Sequence, residues 1–145
     1  MPRIKLAERE VYEIRSSLQV RPQDVNYAGH VGNDSLISLV GAARAQLFRS
    51  LGLSELDLGD RQTGLIITDL IVNYKAEASM FDDLLVETHL DEFAEKGFRM
   101  FHRVRKDSTL IALVETGFAA YNYAAKKTSP LPASFLKRLA DQNLK

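Results

Sequence analysis

The sequence predicts an α+β fold in which one antiparallel sheet covers one long central helix. Three observations lead there. A period-two alternation near the N-terminus marks a first strand, a stretch with apolar residues at helical spacing follows it, and four strand-like runs separated by turn residues come after. Strands on both sides of a single apolar helix suit a layer of sheet on helix, with five to six strands in the sheet.

In the first run, Tyr12, Ile14, Ser16, Leu18 and Val20 alternate with Glu13, Arg15, Ser17, Gln19 and Arg21, and Pro22 ends it because proline cannot donate to a ladder. Residues 23–33 are polar and hold Gly29 and Gly32, so they read as a loop. Asn33, Asp34 or Ser35 is expected to cap the helix that follows. Leu36, Val40, Ala43, Leu47 and Leu51 give that helix its apolar stripe, and Gly52 suits the position just past its end. Ile37, Leu39, Ala42, Ala45 and Phe48 widen the stripe until the helix should be wrapped by other structure. Gly41, Ala42, Ala43 and Ala45 are small enough to let a sheet approach its backbone.

Residues 53–63 connect to the strand-like runs 65–77, 84–93, 98–106 and 110–123. Asp82-Asp83, Lys96-Gly97 and Asp107-Ser108 supply turns that suit antiparallel hairpins. Pro130 and Pro132 precede a short amphipathic helix over 133–142. Val114, Phe118 and Tyr121 fall in the last long run, which invites aggregation unless it is paired, so oligomer formation is expected.

The whole chain, 1–145, reads as one domain. Nineteen basic and nineteen acidic residues give a formal net charge of zero, which argues against a nucleic-acid surface. There is no cysteine, so disulfides, thiolate metal sites and a cysteine nucleophile are excluded. No run approaches the roughly 18 apolar residues of a membrane span, and the N-terminus lacks an apolar core of the signal-peptide kind. The expectation is a cytoplasmic protein with no membrane partner. Three scattered histidines without paired spacing suggest no metal site. No Gly-x-Ser-x-Gly elbow, phosphate loop or dinucleotide fingerprint is present.

The chemistry concentrates in the loop Arg21-Pro22-Gln23-Asp24-Val25-Asn26-Tyr27-Ala28-Gly29-His30-Val31-Gly32-Asn33, which runs into the start of the long helix. Unpaired backbone N–H groups and the positive end of the helix dipole suit a developing oxyanion there. Gly29 would let a substrate carbonyl approach the backbone, and His30 can act as an acid or base near neutral pH.

On these residues the chain resembles the hotdog-fold thioesterases of the 4-hydroxybenzoyl-CoA and acyl-ACP type. Arg21, Asp24, Gly29, His30, Val31 and Asn33 stand in register with the family's loop, and Ala43-Arg44 with the end of its helix motif. Residues 72–78 and 81–86 resemble its second strand and following turn. The resemblance implies a hotdog fold and an acyl-thioester hydrolase. It needs no cofactor beyond the coenzyme A or phosphopantetheine carried by the substrate. Asn26 and His30 become the catalytic candidates, with Asp24, Tyr27, Gly29, Val31 and Tyr74 binding substrate. The thioester carbonyl would rest on N–H groups near His30 and Val31, and the acyl chain would lie between the helix and a neighbouring subunit of a homodimer or homotetramer. An acyl carrier protein is the alternative carrier.

The departures from the family pattern are specific. Its usual catalytic carboxylate is Asn26 here, its paired asparagine is Gly32, and its helix glutamate is replaced at Gly41 or Ala42. An amide is no base at neutral pH, so a non-hydrolytic thioester-binding protein is one alternative, and a hotdog dehydratase or hydratase is another. Asp24 reads either as a structural partner of Arg21 or as a replacement base. His102 reads as a packing residue and His89 as a solvated one. Arg99, Arg103 and Arg105 alternate on one strand face, either as an ordinary exposed face or as contacts for coenzyme A phosphates, and Lys126-Lys127 is a similar candidate.

Overall fold

Apolar side chains on one face of a strand leave water only when the sheet closes on a partner, and here the partner is the long helix. The computed structural model describes residues 3–145. In chain order these form β1 (Ile14–Gln19), a 3-10 turn (Pro22–Asp24), α1 (Asn33–Ser50), β2 (Thr63–Tyr74), β3 (Asp83–Ala94), β4 (Gly97–Lys106), β5 (Thr109–Asn122), β6 (Lys127–Thr128) and α2 (Ala133–Asp141). The strands form one six-stranded antiparallel sheet in the order β1-β3-β4-β5-β2, with the short β6 paired to β5. This is the hotdog arrangement that the resemblance implies.

Helix α1 buries Leu36, Leu39, Val40, Ala43, Leu47 and Phe48 against the sheet. Each such aliphatic or aromatic side chain contributes about 1.5–3 kcal/mol by leaving water. The helix ends in a Schellman motif. The Gly52 N–H donates to Arg49 O at 3.0 Å and the Leu53 N–H to Phe48 O at 2.8 Å, while Gly52 takes φ +70°, a left-handed value that glycine tolerates best. Arg138 of α2 adds a guanidinium hydrogen bond of 2.7 Å to Leu51 O. At this end Phe48, Phe98, Phe118 and Phe135 pack together with ring centroids 5.5–6.3 Å apart, so α2 plugs the core.

Several expectations are corrected. The N-cap of α1 is Gly32, and no side-chain oxygen caps the helix, because Asn33, Asp34 and Ser35 already lie in or beyond its first turn. The sheet wraps the helix as expected but leaves Ala42 and Ala45 exposed, so these two do not widen its buried face. Strand β5 is not an unpaired hazard, since β4 and β2 flank it. The edge strands are β1 and β2, and β2 leaves Ile67, Leu70 and Tyr74 exposed.

The outer face of the sheet is not a solvated face. Residues 4–12 run across it. The Leu6 N–H donates to Asn73 Oδ1 at 2.7 Å, Arg9 lies 3.8 Å from the Phe101 ring centroid, and Arg103 lies 4.5 Å from that of Tyr12. Below them the arginines are occupied. Arg99 binds Asp69 and Glu115, Arg103 binds Glu8 and Glu87, and Arg105 binds Glu87. Their guanidinium groups are therefore spent on carboxylates and are not free for phosphates. His89 is part-buried and holds Glu13 at 2.9 Å.

Glu87 is 1% exposed. Burial alone would raise its carboxyl, but hydrogen bonds from Arg103 and Arg105 outweigh this and hold it below the usual range. Glu87→Ala strands two guanidinium groups, and equilibrium urea unfolding should show a loss of about 3 kcal/mol. His102, on the helix side, is buried with Nδ1 2.8 Å from Thr88 Oγ1. Burial first, and then the charge of Arg44, push its pKa down from 6.5 to about 3. Between those values the unfolded chain binds a proton that the folded chain refuses. Stability is full above the unfolded value and falls with acid, by up to about 1.4 kcal/mol per pH unit. His102→Leu should flatten that acid limb in unfolding measured against pH.

Candidate functional site

The loop between β1 and α1 is built around Asp24. Pro22 opens a 3-10 turn, and the buried Asp24 carboxylate turns back to accept the Arg21 backbone N–H at 2.8 Å. The Arg21 side chain donates to both its oxygens, at 3.1 and 3.0 Å. That hydrogen bonding is the main reason its carboxyl is held below the usual range. Asp24 thus takes the structural place beside Arg21 that the sequence offered for it, with both oxygens hydrogen-bonded and the side chain buried. Its carbonyl also accepts the Gly32 N–H at 3.0 Å, which fixes where the helix starts.

Beyond Asp24 the chain makes a tight turn. The Asn26 N–H donates to His30 O at 2.8 Å, and the Gly29 N–H donates to Asn26 O at 3.0 Å. Asn26 Oδ1 accepts the N–H groups of Ala28 at 3.0 Å and His30 at 3.4 Å, closing an Asx-type turn. Among the described residues its Nδ2 has no partner. Gly29 takes φ +87°, and a Cβ there would meet nothing within 4 Å, so within the chain the turn's backbone, and no neighbouring atom, asks for glycine. Tyr27 projects from the tip, fully exposed.

The turn docks on the segment after β2. The Val31 N–H donates to Ala78 O at 2.8 Å, and His30 pairs with Ser79 as an antiparallel bridge. This pairing sets Glu77 beside His30, with Glu77 Oε2 3.1 Å from His30 Nε2. Both groups are reachable from solvent. Glu77 is the residue that sequence reasoning missed. It lies 47 positions from His30, and only the pairing of residues 30–31 with 78–79 brings the two together. Its one sequence signal is a carboxylate just past the end of an edge strand.

Beside this pair is a cleft of about 160 Å³ lined by Val31, Asn33, Leu36, Tyr74, Ala76, Glu77, Ala78 and Ile111. The Tyr74 hydroxyl donates to Asn33 O at 2.9 Å, and burial, then the Asp34 carboxylate, push its pKa up. His30, Val31 and Tyr74 therefore gather at one place. Asn26 stands at the helix start, its Cβ 3.9 Å from where a Gly32 side chain would begin.

The expected oxyanion donors are corrected. The N–H groups of His30, Val31 and Gly32 already serve Asn26 Oδ1, Ala78 O and Asp24 O. Those of Asn33, Asp34 and Ser35, one step further on, have no partner among the described residues, as at any uncapped helix start. Among the described residues, no group of three or more ligating side chains is placed to hold a metal ion, and no helix is long and apolar enough to cross a membrane. A larger hollow of about 540 Å³, lined by Val11, His89, Phe93 and Leu144 among others, shares no residue with the loop.

Comparison with known proteins agrees with this fold. The family description "thioesterase-like superfamily" matches residues 20–139. A search of curated proteins finds no match. Solved structures that superpose well include a 1,4-dihydroxy-2-naphthoyl-CoA thioesterase from Synechocystis, with 20% identity, TM-score 0.80, and 90% of this chain and 97% of that one covered. A gentisyl-coenzyme A thioesterase is 22% identical with TM-score 0.75, covering 86% of this chain and 98% of that one. A hypothetical protein from Staphylococcus aureus, solved in complex with CoA, is 18% identical with TM-score 0.80, covering 93% and 87%. At these identities the likeness is one of fold.

Gly29→Ala should lower stability by about 1–2 kcal/mol, because an L side chain must enter the left-handed region. Urea unfolding measures this. An unchanged midpoint would mean that the turn does not need glycine's backbone.

Proposed function

The chain belongs to the thioesterase-like superfamily, and from that premise we propose that it hydrolyses an acyl thioester at the start of α1. The observation that carries this reading is the His30–Glu77 pair, 3.1 Å apart, at the mouth of a cleft beside the unpaired N–H groups of the helix. Glu77 supplies a carboxylate where the family's usual position offers only the Asn26 amide.

In this reading Glu77 accepts a hydrogen bond from the His30 Nε2–H, which leaves the lone pair on Nδ1. Nδ1 takes a proton from water as the water oxygen bonds to the thioester carbonyl carbon. The negative charge that develops on the carbonyl oxygen is met by the N–H groups of Asn33 and Asp34, where the helix dipole favours it. The carbon–sulfur bond then breaks and His30 returns the proton to the departing sulfur, releasing a thiol and a carboxylic acid. The Asn26 Nδ2 hydrogen-bonds the water or the thioester oxygen.

A cleft of about 160 Å³ is small beside the roughly 300–1,000 Å³ of most small-molecule sites. The exposed Ile67, Leu70 and Tyr74 of edge strand β2 supply an apolar margin next to it. A second copy of the chain, paired along β2, completes the acyl pocket in this proposal, as a homodimer or within a tetramer. The carrier is coenzyme A, favoured over an acyl carrier protein because two structural neighbours are named for coenzyme A thioesters. The chain works as a single cytoplasmic domain without a cofactor of its own.

A thiol-release assay on a panel of acyl-CoAs tests the reading. His30→Ala should lower kcat about 10²–10⁴-fold. Glu77→Gln should lower kcat with KM little changed. Asn26→Asp keeps an oxygen for the Ala28 and His30 N–H groups and should retain the fold. Binding without turnover across the panel would favour a non-hydrolytic binder. A histidine with a carboxylate also suits dehydration, and an enoyl product from a 3-hydroxyacyl thioester would move the assignment there.

A further inference from the structure

Gly41 stands in the middle of α1, where glycine is a poorer helix former than any residue but proline. The chain's own packing does not ask for it. A Cβ at Gly41 would meet only Arg44 Nη2, at an ordinary 3.6 Å, and no atom of the sheet. The space beside it is open apart from that guanidinium.

Arg44 is itself mostly buried, its side chain 11% exposed. Its Nε donates to Glu55 Oε1 at 2.7 Å, and its guanidinium carbon lies 5.3 Å from the Phe118 ring centroid. Among the described residues Nη1 and Nη2 have no hydrogen-bond partner, although guanidinium carries five donors. Two positions before Phe118, on the same face of β5, Thr116 Oγ1 is buried without a partner, and so is His102 Nε2 on β4. A buried polar group left unpaired loses its hydration without compensation. These groups share one stretch of a helix–sheet layer that is otherwise apolar. Glu55 satisfies one side of the Arg44 guanidinium, and the other side, not sealed from solvent, is free to meet a further acceptor.

We infer that the substrate's acyl group runs along α1 to Gly41 and carries there a hydroxyl or keto oxygen that Arg44 binds. The inference rests on the thioester reading above. Asn33, Ile37 and Gly41 follow one another at i, i+4 on one stripe of the helix. The eight residues from Asn33 to Gly41 span roughly 12 Å at 1.5 Å per residue, which suits a medium-length aliphatic chain and exceeds a single aromatic ring. A neutral oxygen fits better than a carboxylate, because Glu55 already balances the Arg44 charge.

Titration calorimetry on the full chain, with S-decyl-coenzyme A and its ω-hydroxylated counterpart, tests this without turnover, since thioethers are not hydrolysed. The hydroxylated compound should bind about tenfold tighter or more. Arg44→Met should abolish that preference, and Arg44→Lys should keep part of it. Gly41→Leu has room for its Cβ, so it should melt no lower than the wild type, yet it should bind both decyl compounds weakly and S-ethyl-coenzyme A normally. Equal affinity of the wild type for the two decyl compounds overturns the inference. So does a Gly41→Leu variant that binds decyl compounds normally, or one whose effect is a change in oligomer mass, which would give the space to a second copy. Discrimination between the thioethers with no thiol release from the matching thioesters would instead sink hydrolysis and leave this inference standing.

Discussion

Asp24 is held at both its side chain and its backbone, and the geometry of the loop depends on that. Its carboxylate is enclosed by the Arg21 backbone and guanidinium, and its carbonyl receives the Gly32 N–H. The first contact fixes how the chain leaves β1 after Pro22. The second fixes the residue at which helical geometry begins. Between them the chain has only enough length for one tight turn, so His30 and Val31 are delivered to the segment after β2 in a single register. Because Asp24 is inward and charge-paired, it holds the loop, and the proposed proton transfer is assigned to residues that solvent can reach.

The two faces of the sheet solve different problems. Toward α1, apolar residues divide into a cluster near the helix start, built on Leu36, Val40, Val86 and Val114, and a cluster near its end, built on Phe48, Phe98, Phe118 and Phe135. Thr88, His102 and Thr116 form a polar break in that layer, with Arg44 beside it. Toward the outside, charged residues dominate, and the layer holds because nearly every arginine has a carboxylate and residues 4–12 lie over them. Such pairs contribute little when fully wet. The cover over Glu87 makes its loss costly.

Local features were legible in the sequence. The period-two run before Pro22, the helix closed by Gly52 and the four later strands are each set by neighbours a few residues apart, and their bounds agree with the structure to within a few positions. What could not be read is non-local. Strand β2 does not form a hairpin with β3. It crosses to pair with β5, and no turn residue announces that. The alternating arginines of β4 look like a free cationic face until Glu87, Glu115 and Asp69 arrive from three other strands. The residues 21–33 that resemble the family's loop were quotable as a motif, but their division of labour was not. Asp24 and Gly29 prove to shape the backbone, and Glu77 enters the site only through pairing of distant segments.

The substitution of Asn26 for a carboxylate has an electrostatic reading within the proposed site. Asn26 Oδ1 accepts two backbone N–H groups, a role that aspartate could also fill. The difference is charge. Asp34 lies in the first turn of α1, and Glu77 faces His30 across 3.1 Å. A third carboxylate at position 26 would crowd like charges around a helix start whose N–H groups are to receive a developing oxyanion, and nearby like charges disfavour that charge. With Glu77 supplying the carboxylate from the opposite wall, a neutral donor at position 26 leaves the oxyanion side less negative and still gives water or the thioester an amide N–H to meet. The requirement for one acid–base pair beside one set of free helix N–H groups is then kept, and it is met from a different part of the chain.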